Sequence, residues 1–234
     1  MIRAVLLDFY GTLAESTNWV SPEAVLAEHG FEITPDARHR WFNDGIDGLE
    51  HTEHSQSRDH YVAWQRERIL GMLAETDVHP GEYEVIIEKL RAGASTRVLQ
   101  AYPEVPDVLR ELRASGLRLA ICSNWDWDLT EAVDEAGLTD LVDVQVSSAW
   151  VGARKPHARI YDDTLTLLDV YAADVVFVGD SWGPDVAGPM EHGMQPVYVD
   201  RPGHWPDPTA PDDPAAQGVP VIEDLRGVLQ EVHT

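Results

Sequence analysis

A chain of 234 residues is long enough for one hydrophobic core, or for one core with a small second unit, and it needs no disulfide staple. Acidic residues number 41 against 17 basic ones, a formal charge of −24, which argues against a cationic surface for nucleic acid and against a polybasic membrane anchor. The hydrophobic content of 44% is that of a globular protein, and the lone Cys122 excludes a disulfide within the chain.

The first apolar run, residues 4–7, ends at Asp8 and is too short for a signal peptide. No run approaches the ~18 apolar residues of a membrane span. The expectation is a soluble, cytoplasmic protein, monomer or homodimer, acting on a small molecule, with neither nucleic acid nor membrane as partner.

Residues 4–7 read as a strand buried on both faces. The region from Ser16 to Thr96 then reads as helical, with segments at 21–29, 35–41, 57–73 and 82–90. Ser21-Pro22-Glu23 is a helix start, with a capping hydroxyl, Pro in the first turn and an early acid. Beyond it, helical spacing at 104–114, 129–136, 158–168 and 185–192 alternates with apolar runs at 117–122, 142–146, 175–178 and 196–199. Residues 202–218 are rich in Pro and Asp and read as an exposed loop, and 218–232 add a short strand and a helix. The alternation predicts an α/β fold: a Rossmann-like, three-layer parallel sheet core. The core covers residues 1–15 and 97–234, and 16–96 form a small all-helical cap or lid.

Open parallel sheets bind ligands at the carboxyl ends of their strands. Successive strand ends here supply Asp8-Phe9-Tyr10-Gly11-Thr12, Ser123-Asn124, Arg154-Lys155-Pro156 and Gly179-Asp180-Ser181 with Asp185. Lys155 is one of two lysines, the other being Lys89. Taken singly, each of these reads as a turn residue, a helix cap or a surface charge; their joint arrival at one sheet edge favours chemistry. Asp8 is placed to act as a carboxylate nucleophile, and Lys155 is the cation that keeps it ionised. Asp180 and Asp185 are hard oxygen ligands of the kind Mg²⁺ takes. Ser123 and the Asn124 amide can donate to a transferring group, and Gly11 lets backbone approach a ligand.

The ordered set Asp8, Ser123, Lys155 and Asp180/Asp185 resembles the haloacid dehalogenase superfamily of hydrolases, in the branch with a helical cap after the first strand. The resemblance implies Mg²⁺-dependent phosphoryl transfer, with Asp8, Tyr10, Ser123 and Lys155 catalytic and Thr12 and Asn124 on the substrate. Asp8, Asp180, Asp185 and the backbone carbonyl of Tyr10 would hold the metal.

One position departs from the phosphatase pattern. Two residues after the nucleophile such enzymes carry an acid/base Asp, and here Tyr10 stands there. That acid is worth about 10²–10⁴-fold in rate. Tyr at this place resembles the metal-independent 2-haloacid dehalogenases, whose halide leaves without a proton; those enzymes lack the Gly-Asp pair kept here as Gly179-Asp180. The favoured expectation is a phosphatase for a small phosphorylated metabolite. A 2-haloacid dehalogenase, and a binding or regulatory protein with weak turnover, are the alternatives.

Weaker candidates lie outside this set. Trp125, Trp127 and Trp182 at the catalytic edge, with Trp19, Trp41 and Trp64 in the helical region, line a substrate pocket or simply pack. His51, His54, His60 and Glu53 are spaced too loosely for zinc and read as a solvated segment. Asp126, or His51 or His54, can substitute for the missing acid, and Arg38 or Arg40 can meet a substrate carboxylate.

Overall fold

Ala4–Leu7 (β1) is apolar at every position and fully buried. Its side chains alternate: Val5 and Leu7 enter one apolar cluster, Ala4 and Leu6 another on the opposite face. A strand with two apolar faces belongs at the centre of a parallel sheet covered on both sides. The computed structural model places it there, and describes residues 1–18, 20–34, 40–41, 46–203 and 207–232.

A short strand follows, Ala14–Ser16 (β2), which pairs antiparallel with Leu99–Ala101 (β3). The main sheet adds Arg118–Ser123 (β4), Val144–Ser147 (β5), Val175–Gly179 (β6), Gln195–Val199 (β7) and Val221–Ile222 (β8). It has six strands in the order β5-β4-β1-β6-β7-β8, and its five pairings are all parallel. Leu7 stands opposite both Ile121 and Val178. The chain runs from β1 outward through β4 and β5, then returns to β6 on the other side. That reversal leaves a crevice at the carboxyl end of β1, where the candidate site lies.

Between β2 and β3 the described elements are helical. Pro22–Ala27 (α1) is capped by Ser21, whose Oγ accepts the Ala24 N–H at 3.1 Å. Arg58–Ala74 (α2) is capped by Ser57, and Tyr83–Ser95 (α3) follows. Their inner residues, among them Leu26, Met72, Leu73, Ile86 and Ile87, form a separate apolar cluster. Most of the expected helix 35–41, together with Trp19 and Arg38, lies outside the described residues.

Three helices complete the layers. Val105–Ala114 (α4) and Leu129–Glu135 (α5) put their apolar stripes into the cluster of Val5 and Leu7, and Ala158–Leu168 (α6) packs on the face of Ala4 and Leu6. The expected Rossmann-like α/β architecture is therefore the observed one.

Two local expectations are corrected. The β2–β3 ribbon stands where no strand was expected: each partner has three residues, too few for a periodic pattern, and register comes from backbone bonds such as Tyr102 N–H to Leu13 O at 3.0 Å. The helix expected over 185–192 is a π-helical turn, Trp182–Ala187, followed by Gly188–Glu191. Pro189 has no N–H to donate back along the chain, so a continuous α-helix across it loses a hydrogen bond.

Candidate active site

Four loops meet at the carboxyl ends of β1, β4, β5 and β6. Asp8 closes β1, with its N–H on the Val178 carbonyl at 2.9 Å. Lys155 is buried, and its Nζ lies 2.6 Å from Asp8 Oδ1 and 2.6 Å from Asp185 Oδ1. Asp185 is fixed by its place in the π-helical turn: its Oδ2 accepts the Ser181 N–H at 3.0 Å. Thr12 Oγ1 donates to Asp180 Oδ1 at 2.9 Å, joining the first loop to the last. One carboxylate oxygen from each of Asp8, Asp180 and Asp185 lies within 4.8 Å of the other two.

Two glycines make the approach possible. A Cβ on Gly11, which has φ +84°, would stand 2.3 Å from Asp180 Oδ2, and one on Gly179 would stand 2.4 Å from the Asp185 carboxylate. Any side chain at either position would push the acids apart.

The electrostatics follow from burial and an unequal count of charges. Burial raises the pKa of Asp8; Lys155 opposes that rise and Asp180 adds to it. Asp185 is raised well above the carboxylate range by burial, against the pull of Lys155, with Asp8 and Asp180 adding to the rise. Burial disfavours the Lys155 charge, but Asp185 and Asp8 outweigh it and hold the ammonium protonated beyond the usual lysine range. A divalent cation would favour the ionised form of all three acids, which burial and mutual repulsion oppose at Asp8 and Asp185. An all-oxygen donor set suits Mg²⁺ rather than zinc.

The remaining expected residues take distinct positions. Ser123 is buried at the end of β4, and its hydroxyl favours the charged form of the Asp8 carboxylate. The Asn124 side chain grips the backbone of Lys155 at both ends: Oδ1 accepts its N–H at 2.6 Å and Nδ2 donates to its carbonyl at 3.0 Å. Tyr10 is half-buried, with its ring centroid 6.3 Å from that of Trp125. Burial raises its phenol pKa, against a hydrogen bond from the Ser16 backbone and the charge of Arg97.

Arg201 was missed by sequence reasoning. It is buried, donates from Nε to Gly11 O at 3.2 Å and from Nη2 to Thr12 O at 2.7 Å, and so braces the loop after Asp8. Glu104 pairs with its Nη1 at 2.7 Å, and the guanidinium lies 3.7 Å from the Tyr102 ring centroid. The signal was available: Asp200-Arg201 follows β7 as Asp8 follows β1.

The histidines and tryptophans pack. Trp64 is sandwiched between His51 and His54, at centroid distances of 4.5 and 5.2 Å. Trp125 meets Phe9 edge-on, and Trp182 meets Tyr198. His51 Nδ1 lies 3.1 Å from Ser55 Oγ. Arg40 pairs with Glu75 at 3.0 Å on the surface. Asp126 accepts from Tyr61 Oη at 2.9 Å and from Gln65 Nε2 at 3.1 Å. Among the described residues, the acids at positions 8, 180 and 185 are the one group of three or more potential ligands that converges. No described helix is long and apolar enough to cross a membrane.

The sheet, its strand-end acids and the buried lysine define a hydrolase site of one family. The family model for haloacid dehalogenase-like hydrolases matches residues 2–193, and the chain belongs to that family. Its relatives include both dehalogenases and phosphatases. An (S)-2-haloacid dehalogenase of Pseudomonas sp. (strain YL) is 30% identical over 207 residues, 87% of this chain and 84% of that protein. The ribulose-1,5-bisphosphate 5-phosphatase of Halopiger xanaduensis is 34% identical over 115 residues, 49% of this chain; the match spans only about half (48%) of that enzyme. A phosphatase of the family from Thermococcus onnurineus superposes with a TM-score of 0.61 at 24% identity, over 99% of this chain and 98% of that one, and shows the shared fold. Phosphatases and dehalogenases are both hydrolases, and hydrolysis is what the two sets have in common.

Proposed function

We propose that this protein is a Mg²⁺-dependent phosphomonoesterase that acts on a small phosphorylated metabolite through an aspartyl-phosphate at Asp8. The observation that carries the reading is the convergence of Asp8, Asp180 and Asp185 around a single ammonium, Lys155. Three acids crowded at one point disfavour an anionic substrate of either kind; a divalent cation removes that obstacle. Asp8, Asp180 and Asp185, with the Tyr10 carbonyl, would hold the Mg²⁺. When bound, it neutralises charge on the phosphate and on the carboxylates.

The chain's own groups then have defined tasks. Lys155 holds Asp8 Oδ1, so Oδ2 is the oxygen we assign to attack on phosphorus. The ester P–O bond breaks as the Asp8–P bond forms, and the leaving oxygen departs as an anion that takes its proton from solvent. Water then attacks phosphorus, the Asp8–P bond breaks, and inorganic phosphate and free Asp8 result. Ser123, the Asn124 amide and Lys155 offer donors to the phosphoryl oxygens as charge shifts. Asn124 and Arg201 act at one remove, by fixing the backbones of Lys155 and of Gly11-Thr12. The helices between β2 and β3 serve as a cap that limits access to small substrates.

Tyr10 supports a second reading, 2-haloacid dehalogenation, as does the match to the Pseudomonas dehalogenase over 87% of the chain. The two differ in what becomes attached to Asp8. Acid-quenched incubation with an aryl phosphate and Mg²⁺, followed by peptide mass spectrometry, is expected to find a phosphoryl group on the Asp8 peptide and none in Asp8→Asn. An ester adduct from a 2-haloacid on that peptide would overturn the phosphatase reading.

A further inference from the structure

A cavity of about 490 Å³ lies between α2, α3 and the loops that follow Ser123 and precede Lys155. The loop after Ser123 contributes Asp126 and Trp127 to its wall, and Arg154, next to Lys155, contributes another part. Six arginines line it: Arg58, Arg66, Arg68, Arg91, Arg97 and Arg154. The chain as a whole carries −24, so this concentration of cations runs against the molecule's own field.

Five of the six have an acid within ion-pair range. Arg58 faces Glu131 at 3.6 Å, Arg91 faces Glu88 at 3.6 Å, Arg97 faces Asp128 at 4.0 Å, and Arg66 pairs closely with Glu84. Arg68 faces none among the described residues, and Arg154 only at the limit of that range. Arg68 donates to neutral groups, Gln65 Oε1 at 3.0 Å and the Trp41 carbonyl at 3.0 Å, and stands 5.2 Å from the Trp64 ring centroid. Arg154 has one acid at the edge of ion-pair range, Asp47 at 4.0 Å, and its Nε is buried without a hydrogen-bond partner. Burial, and then the charge of Arg154, push the Arg68 pKa down, as expected of two cations sharing a wall. Asp126, the acid nearest in the wall, already accepts from Tyr61 and Gln65. Between these groups the wall is apolar and aromatic, with Trp41, Ile69, Met72 and Trp127.

We infer that this cavity receives the leaving-group end of the substrate, and that this end carries a second anion, carboxylate or phosphate, bound by Arg68 and Arg154 beyond an apolar or aromatic spacer. The inference rests on the phosphomonoesterase reading and adds to it the class of alcohol that is released. Guanidinium groups bind both anions through paired N–H donors, so the two chemistries share one site. A volume of about 490 Å³ accommodates a ring with a short arm.

The test uses three aryl phosphates whose leaving phenols are of similar basicity: 4-(phosphonooxy)phenylacetate, its primary amide, and 4-(phosphonooxy)benzylphosphonate. With Mg²⁺, the protein is expected to prefer one or both charged arms over the amide by ~10-fold or more in kcat/KM, mainly through KM. The better of the two names the anion. Arg68→Gln and Arg154→Gln are each expected to bring that preference within ~2-fold, and Arg68→Lys to restore part of it. Arg110→Gln, which removes an equal charge from α4, is expected to keep it. Calorimetric binding of the product 4-hydroxyphenylacetate against its amide reads the same preference without turnover, and it covers a variant whose activity is lost for other reasons. Equal kcat/KM for amide and acids overturns the inference and leaves the phosphatase reading standing. Failure to hydrolyse all three with Mg²⁺ overturns the phosphatase reading; equal binding of the two products then also removes the anion site.

Discussion

Asn124 holds Lys155 through both of its backbone groups, accepting the N–H at 2.6 Å and donating to the carbonyl at 3.0 Å. A carboxamide presents an acceptor and a donor side by side, as this contact requires. The Lys155 ammonium can therefore reach Asp8 and Asp185 from a fixed origin. Asn124→Ala is expected to lower kcat on an aryl phosphate by ~10²-fold with Lys155 intact, the scale of an error of about 1 Å in placing a catalytic group. Asn124→Asp keeps the acceptor and loses the donor, so it is expected to fall between the two. Wild-type kcat in Asn124→Ala would show that Lys155 needs no such clamp.

Arg201 braces the nucleophile loop and neutralises Glu104 as well, and the two tasks can be separated. Both side chains of the ion pair are nearly buried, at 7% and 10% exposure. Arg201→Met leaves Glu104 unpaired and is expected to destabilise the protein by ~3–5 kcal/mol. Adding Glu104→Gln is expected to recover much of that stability while kcat stays low, because the Gly11 and Thr12 carbonyls still lack their donor. Recovery of kcat together with the melting temperature would reduce Arg201 to a structural role.

Tyr10 does not supply a strong acid. Its phenol is raised in pKa by burial and is engaged with the Ser16 backbone. Tyr10→Phe is expected to change kcat on aryl phosphates by less than ~3-fold, while the native protein hydrolyses aryl phosphates far faster than alkyl phosphates, which need protonation to leave. Comparable native rates on the two classes would mean that another acid serves the site, with Asp126 the first to replace.

His51 links acid to unfolding. It is buried against Trp64, and burial, reinforced by Arg154, His54 and Arg68, brings its pKa from 6.5 down to about 4. Between those two values the unfolded chain holds a proton that the folded protein does not. This contribution to stability is present above pH 6.5 and is lost as the pH falls toward 4. His51→Phe keeps a ring against Trp64 and is expected to flatten the decline of melting temperature over that window. A variant with the same decline would assign the acid sensitivity to other groups.

The sequence carried the parallel sheet because its central strand is buried on both faces and so is apolar throughout: Ala4–Leu7 begins and ends as read, as does the helix Ala158–Leu168 that packs on it. The acids and Lys155 were legible from strand ends alone. The roles of Asn124 and Thr12 were not, because their partners lie 31 and 168 residues away and nothing local marks the pairing. Gly188-Pro189 interrupts the helix expected over 185–192, which apolar spacing alone does not register. The arginine wall is the least legible feature, since its members come from α2, α3, a position two residues before β3, and the loop before Lys155, and converge only in three dimensions.

The central claim is that Asp8, Asp180 and Asp185 work as a Mg²⁺-dependent phosphoryl-transfer centre. One preparation, assayed with p-nitrophenyl phosphate and with (S)-2-chloropropionate, in Mg²⁺ and again in excess EDTA, tests it most directly. The account predicts phosphate release with Mg²⁺, its loss in EDTA, its return on adding Mg²⁺ back, and no chloride under any condition. Chloride release that is indifferent to EDTA, without phosphate release, would contradict it.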